Sequence, residues 1–542
     1  MPTLSFGKIE IEYTAQAAQP IPGGTLLQAA SCSLQTPPTP RCYYRHGWQS
    51  WSLAAWHAPT QNIPLQKPVS LHPMQIDPVY AYNPNPNGSW VGAVEMDDDN
   101  ILLLGALGLE AHVALRGGAL QGWYESISKE PDAKHEWFVG YGKEDEVFAR
   151  YAELLAERLG KVNVEKAPRV WCSWYSLYNA IDEEILHDTL EKLGDLPFDI
   201  FQLDDGWQIS IGDWQANEKF PSGMAALADK IKATGRRAGL WLAPLLVTPS
   251  SSVYREHKDW LLKDADGQLV SAGFNFGEQL YALDTTHPGA LNFLAETMNQ
   301  VRAWGYDYLK LDFLYAGALP GKRHIDMPRE AAYRHGLQVI REAMGVDAYF
   351  LACGAPILPS IGLCDAMRIG PDVANYWDKD RDSRLLYNQT TPGVQNGLRT
   401  SLNRLWLKPL VHTDPDVAYF RSVECSLTPK QKTLLQDMTH ICEFKATSDM
   451  PHWWTDAERE QVRAWLTAEP AIERTSRTTF NLDGRAVDFA PALPLPQPPS
   501  GFDSLRRAIN AWGGDQGWLM SRMFKTWKRD LEKMKATIRD RQ

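Results

Sequence analysis

The chain has 542 residues, too many for one ordinary domain and enough for two or three. With 44% hydrophobic and 22% charged residues it reads as globular, which excludes general disorder, and a net charge of -11 argues against a nucleic-acid partner. Its 21 Trp leave two readings open: a large aromatic core, or flat faces for sugar rings.

Met1–Tyr13 lacks a basic stretch followed by an apolar run, so no signal peptide is expected. The most apolar long stretch, Ile101 to Leu120, is broken by Glu110, His112 and Arg116 and should not span a membrane. Seven Cys with no CxxC spacing fit a reducing cytoplasm better than a disulfide framework or a zinc site.

Taken in order, residues 1–160 read as β-rich. Leu4 to Tyr13 alternates apolar and polar residues, and turn residues cluster at Gln35–Arg41 and Tyr82–Ser89, which predicts an N-terminal β-sandwich domain. Within it, His46-Gly47-Trp48-Gln49-Ser50-Trp51-Ser52 is either a pair of packed surface aromatics or a loop that closes over a sugar site. Glu144–Leu159 predicts a connecting helix, and Ala167-Pro168 marks a boundary.

From residue 166 to 468 apolar runs alternate with helical patterns. The expected strands are Val170–Tyr175, Phe198–Leu203, Ala238–Ala243, Tyr306–Leu311, Tyr349–Ala352, Ala366–Ile369, Lys408–Val411 and, weakest, Phe444–Thr447. Eight strand-helix units predict a catalytic (β/α)8 TIM barrel; an open doubly wound sheet is disfavoured because no Gly-rich phosphate loop follows the first strand. Residues 469–542 form a small C-terminal β/helical region: two short strands in Thr478–Phe489, a Pro-rich linker at Pro491–Pro499 and a helical tail from Gly501 to Gln542.

Charged and reactive groups, most of them acidic, recur at the ends of the expected strands: Asp204 and Asp205 after the second, Lys310 and Asp312 on the fourth, Cys353 after the fifth, Arg368 and Asp372 after the sixth, Asp414 and Asp416 after the seventh, Ser448-Asp449 after the eighth. In a barrel that end is the active face. Two carboxylates across a pocket can cleave a glycosidic bond. Asp312 is the candidate nucleophile, with Lys310 on the same side of its strand as the cation that keeps it ionised, and Asp372 is the candidate acid. Adjacent Asp204 and Asp205 would each accept from a sugar hydroxyl. Taken singly, each Asp reads equally well as a cap, a turn or a buried ion pair. Asp204, Asp205 and Asp312 could alternatively hold a divalent metal, which the Lys310 ammonium opposes, and Cys353 could be a nucleophile with His412 as partner.

These residues carry a specific resemblance. Trp48-Gln49-Ser50-Trp51, Trp171–Tyr175, Phe201–Asp205, Lys310–Phe313, Cys353–Pro356 and Met367–Asp372 resemble, in order, the blocks of glycoside hydrolase family 36, the bacterial α-galactosidases, over most of the chain to about Trp454. The resemblance implies a sandwich packed on a catalytic barrel, a smaller C-terminal domain and retaining, cofactor-free and metal-free hydrolysis of terminal α-linked galactose, as in melibiose and raffinose. It implies Asp312 as nucleophile and Asp372 as acid/base. Asp204 and Asp205 would bind the galactose 4- and 6-hydroxyls, and Lys310 and Arg368 would bond around the sugar. Trp174 and Trp241 would be pocket walls, Cys353 would lie on the 2-hydroxyl side, and Trp51 would be lent by the N-terminal domain. The partner is then a galactoside, with no nucleic acid or membrane. The alternatives on the same scaffold are an α-N-acetylgalactosaminidase or a transglycosidase. Thr413 stands where the family block has Asn before Asp-Pro-Asp.

Overall fold

The computed structural model describes residues 2–37, 40–61, 74–80, 87–96, 99–125, 135–162, 166–378 and 390–495. The N-terminal part is two antiparallel sheets sharing one core. The first orders its strands as Thr3–Phe6, Ile9–Thr14, Ser31–Gln35, Ala119–Tyr124, Ala111–Arg116 and Gly88–Ser89. In its first two strands Leu4 and Ile11 are buried while their neighbours are exposed or half-buried, as the alternation of the sequence requires. The second runs Ala17–Ile21, Gly24–Gln28, Glu136–Gly142, Ile101–Ala106, Val91–Glu95, Tyr43–Arg45 and Ala55–His57. The apolar stretch from Ile101 is therefore two strands, Ile101–Ala106 and Ala111–Arg116, one in each sheet. Ile101–Ala106 is buried on both faces. One face meets the other sheet; the other lies under the helix Glu144–Leu159, whose Tyr151 ring fills the space beside Gly105. Among the described residues no helix is long and apolar enough to cross a membrane.

Eight parallel strands follow: β1 Val170–Cys172, β2 Ile200–Leu203, β3 Arg237–Leu242, β4 Tyr308–Leu311, β5 Tyr349–Ala352, β6 Ala366–Arg368, β7 His412–Asp414 and β8 Ala446–Thr447. Their order, β7-β6-β5-β4-β3-β2-β1-β8, is that of a curled barrel sheet. The gap between β7 and β8 is bridged from the loop after β7: Ala418 N–H donates to Ala446 C=O at 2.8 Å, and Thr447 Oγ1 donates back to Ala418 C=O at 2.8 Å. Each strand is followed by a helix, the longest being Pro288–Trp304 and Arg329–Met344. Their ends obey local chemistry. Thr428 and Thr455 make reciprocal capping boxes with Gln431 and Glu458, and Gly305 takes φ +95° to end Pro288–Trp304.

Two strand expectations shift. Lys408–Val411 is not β7; Leu405–Leu407 is a 3-10 turn whose carbonyls are taken by Lys408, Leu410 and Val411 N–H, so the ladder starts at His412. The eighth strand is only Ala446–Thr447. At the C-terminal side, Ile472–Arg474, Thr479–Leu482 and Arg485–Asp488 make a three-stranded antiparallel sheet, one strand more than expected. The expected tail Gly501–Gln542 lies outside the described residues.

The sheets and the barrel are joined by buried polar groups. Glu330, at the start of Arg329–Met344, accepts the indole N–H groups of Trp48 (3.0 Å) and Trp90 (3.2 Å) and the Glu110 N–H (2.6 Å). Arg404, fully buried, donates only to carbonyls: Ser50, Ile369, Gly47, Gln49 and Ser52, at 2.5–3.1 Å. Burial pushes its pKa down to about 9. Glu330→Ala would strand three buried donors and is expected to cost about 3 kcal/mol or more in urea denaturation. A loss below about 1 kcal/mol would mean that water satisfies them instead.

Candidate active site

The ends of the barrel strands gather the expected residues. Asp312 follows β4 and is 7% exposed. Its Oδ1 accepts the Phe313 N–H at 2.8 Å and its Oδ2 accepts the Trp241 indole N–H at 3.0 Å. Phe313 has φ +53°, a left-handed backbone that a bulky residue adopts only under constraint. Its ring lies 5.3 Å from both Trp51 and Phe276. Trp241, 1% exposed, thus holds Asp312 through its indole N–H.

Lys310 shares the pocket side of β4, but its ammonium donates to Asp204 Oδ2 at 2.8 Å. The pairing expected with Asp312 is therefore displaced one partner along, because the same-side rule fixes a side chain's direction and not its cross-sheet neighbour. Burial alone would lower the Lys310 pKa; the Asp204 charge reverses this and holds it well above the ordinary value. Asp204 Oδ2 also accepts from Gln202 Nε2 (2.8 Å) and the Cys172 thiol (3.5 Å), and its Oδ1 accepts the Asp205 N–H (3.0 Å). With an ammonium seated on it, Asp204 is a poor divalent-metal ligand. Asp205 Oδ1 accepts from Gln208 Nε2 at 2.6 Å. Burial, with Asp204 beside it, pushes its pKa up to about 6.

Arg368, at the end of β6, is 3% exposed and faces three carboxylates. Nη1 donates to Asp372 Oδ1 at 2.9 Å, Nε to Asp414 Oδ2 at 3.1 Å, and Nη2 pairs with Asp416 Oδ1 at 2.8 Å. Asp372 is the open member, its side chain 31% exposed. Burial raises its pKa; Arg368 and Lys310 oppose this, and Asp312 and Asp204 add to it. Cys353 is 1% exposed, and burial together with the Asp312 charge holds it as a thiol, which removes the nucleophilic-cysteine reading. All seven cysteines are free.

The N-terminal part reaches this site. Trp51 lies half-buried over Gly354, whose φ is +52° and where a Cβ would sit 2.8 Å from the Trp51 ring, so only glycine fits. Its indole N–H has no partner among the described residues. Trp174 opens the short helix Trp174–Leu177 after β1 and meets Tyr178 edge to face at 5.1 Å. Thr413, in place of Asn, is a buried β7 residue, and the groups after it engage Arg368 normally. Tyr175 received no role from the sequence: its hydroxyl accepts from Arg368 Nη1 at 3.3 Å and donates to Asp416. Asp414 and Asp416 were visible only as acidic residues at a strand end.

The Melibiase family model matches residues 136–347. The chain is 43% identical to TtGalA, the α-galactosidase of Thermus thermophilus solved with p-nitrophenyl α-D-galactopyranoside; the match has a TM-score of 0.85 and covers 91% of this chain and 99% of that one. Among curated proteins, it is 29% identical over 208 residues to the α-galactosidase AgaA of Geobacillus stearothermophilus, which is 35% of this chain and 27% of AgaA. It is 26% identical over 215 residues to α-galactosidase 2 of Pediococcus pentosaceus, 38% of this chain and 28% of that protein. The chain thus spans little more than a quarter of the length of these curated relatives. The crystal structure of AgaA, a glycoside hydrolase family 36 enzyme, shares the fold at a TM-score of 0.53 and 16% identity, covering 82% of this chain and 64% of AgaA. With TtGalA matched over almost its whole length at 43% identity, the chain belongs to the glycoside hydrolase family 36 α-galactosidases.

Proposed function

We propose that the chain is a retaining exo-α-galactosidase that releases terminal α-linked galactose from melibiose- and raffinose-type galactosides by double displacement. The observation that carries this reading is the contrast in hydrogen bonding between two carboxylates at the strand ends. Asp312 accepts an N–H on each oxygen, which fixes the carboxylate in place as a nucleophile requires. Asp372 has one oxygen on Arg368 and the other open, with burial favouring its protonated form, as an acid requires. Asp312 attacks the anomeric carbon as Asp372 protonates the departing oxygen. Asp372 then activates the water that hydrolyses the galactosyl-enzyme.

The remaining roles follow the chemistry of the pocket. Asp205 accepts a sugar hydroxyl, and Lys310 and Asp204 form the charged floor beside it. Trp51 over Gly354 closes one flank, which favours a chain end over a chain interior. Cys353, Arg368, Trp174 and Trp241 complete the substrate-binding set. TtGalA has also been solved in complex with stachyose, which supports an oligosaccharide substrate here. We read residues 1–160 as a β-sandwich domain, 166–468 as the catalytic barrel and 469–542 as a C-terminal region. Seven free thiols favour a cytoplasmic location.

Proton NMR during hydrolysis of p-nitrophenyl α-galactoside is expected to show α-galactose before the β anomer. First appearance of β-galactose would overturn retention, and turnover confined to the N-acetylgalactosaminide would overturn the sugar assignment. Rates are expected to be unchanged by EDTA; loss on chelation and recovery with a divalent ion would establish a metal role.

A further inference from the structure

We propose that Asp416 is a positioning residue for the acid/base: with Asp414 it neutralises Arg368, so that Arg368 anchors Asp372 without ionising it. This rests on Asp372 being the acid/base.

Hydrogen bonding decides which carboxyl carries the proton. Asp416 Oδ1 takes the Val417 N–H and Arg368 Nη2, both at 2.8 Å. Its Oδ2 takes the Val373 N–H at 2.9 Å and the Tyr175 hydroxyl. Four donors leave no oxygen for a proton, although burial pushes Asp416 up to about 7. Asp414 accepts Arg368 Nε on Oδ2 and the Asp416 N–H on Oδ1 at 2.8 Å. Asp372 alone has one donor and an open oxygen, so the proton of this group of three resides there. An uncompensated arginine beside a carboxyl lowers its pKa by about 1–3 units. Two fixed carboxylates behind the guanidinium cancel that pull.

Asp416 also fixes where Asp372 points. Its bond to the Val373 N–H clamps the peptide next to Asp372, and its own φ of +84°, unusual for Asp, is held by the surrounding bonds. Other elements act on Asp372 as well: Lys310 and Asp312 from β4, Asp204 from β2, Cys353 from β5, and Tyr175 and Tyr178 from the loop after β1. Asp416 itself faces Cys172 and Tyr419 besides the groups above. Of these, only Asp414 and Asp416 bond the face of Arg368 turned from Asp372.

The test is the pH profile of kcat/KM on melibiose. Asp416→Asn is expected to move the basic limb acidward by about one unit. Asp414→Asn moves it the same way, and Asp416→Glu restores it. With p-nitrophenyl α-galactoside, whose leaving group needs little protonation, the loss is several-fold smaller. A basic limb that stays in place in both Asn variants overturns the proposal, as does an equal loss on both substrates. If Asp416→Asn does not fold, Asp414→Asn decides alone. Asp372→Ala run alongside separates the two readings: if it retains the basic limb, the acid/base assignment itself falls.

Discussion

Asp312→Ala is expected to lower turnover of p-nitrophenyl α-galactoside by about 10⁴-fold or more, because no other group then forms the covalent intermediate. Azide is expected to restore part of the rate. It enters the space the carboxylate leaves and attacks from the same face, so the product is β-galactosyl azide. The anomer of the azide therefore reports which face was vacated. The variant keeps a folded barrel: Trp241 and Phe313 N–H lose their acceptors, but the cavity opens to the pocket, where water can replace the carboxylate. Circular dichroism matching the parent would establish this. Loss of activity without azide rescue, in a folded variant, would place the nucleophile elsewhere on the active face.

Much of the barrel is legible because its strands are buried on both sides and bounded by helical patterns. Tyr349–Ala352 matches its expected range residue for residue, and β1 to β4 start or end within a few residues of theirs. The seventh and eighth strands were harder. Leu405–Val411 is as apolar as a strand but turns back on itself, since its burial comes from packing under Glu144–Leu159, where Trp406 lies 5.6 Å from Phe148. Ala446–Thr447 is too short for any periodicity. The assignment of Ile101–Leu120 to two sheets was equally hidden, because the charged residues that interrupt the run mark a break but do not say that the chain crosses to the other layer there.

At the site, strand ends gave positions but not partners. Lys310 and Asp312 point the same way, yet Lys310 bonds Asp204, 106 residues earlier, across the sheet. Tyr175 and Asp416 meet over 241 residues, and no local pattern announces such a pair. The tryptophans divide similarly. Trp48 is 1% exposed and held by Glu330, while Trp51, three residues on, covers Gly354 at the pocket. Trp48 is therefore a core residue and not the surface aromatic that one reading of the motif expected. Trp90, Trp137, Trp171 and Trp207 are fully buried, so much of the Trp excess is core and only a few rings are available to a sugar.

Asp372→Ala is expected to divide substrates by leaving group. On melibiose, where the departing sugar must be protonated, kcat/KM should fall by about 10³–10⁴-fold. On p-nitrophenyl α-galactoside formation of the galactosyl-enzyme needs no acid, so kcat/KM changes little. Its breakdown needs the missing base, so kcat and KM fall together. Azide speeds that second step and, with Asp312 still in place, gives α-galactosyl azide, the anomer opposite to that from Asp312→Ala. The pH profile carries the same information. Burial raises the pKa of Asp372, so the protonated acid persists above the usual carboxylate range, and activity of the parent on melibiose declines as pH rises through that value. In Asp372→Ala the basic limb for melibiose disappears. Equal losses on both substrates, or a basic limb that survives the substitution, would make Asp372 a binding residue and move the acid to another carboxyl of the face, with Asp205, pushed up to about 6 by burial, next in line.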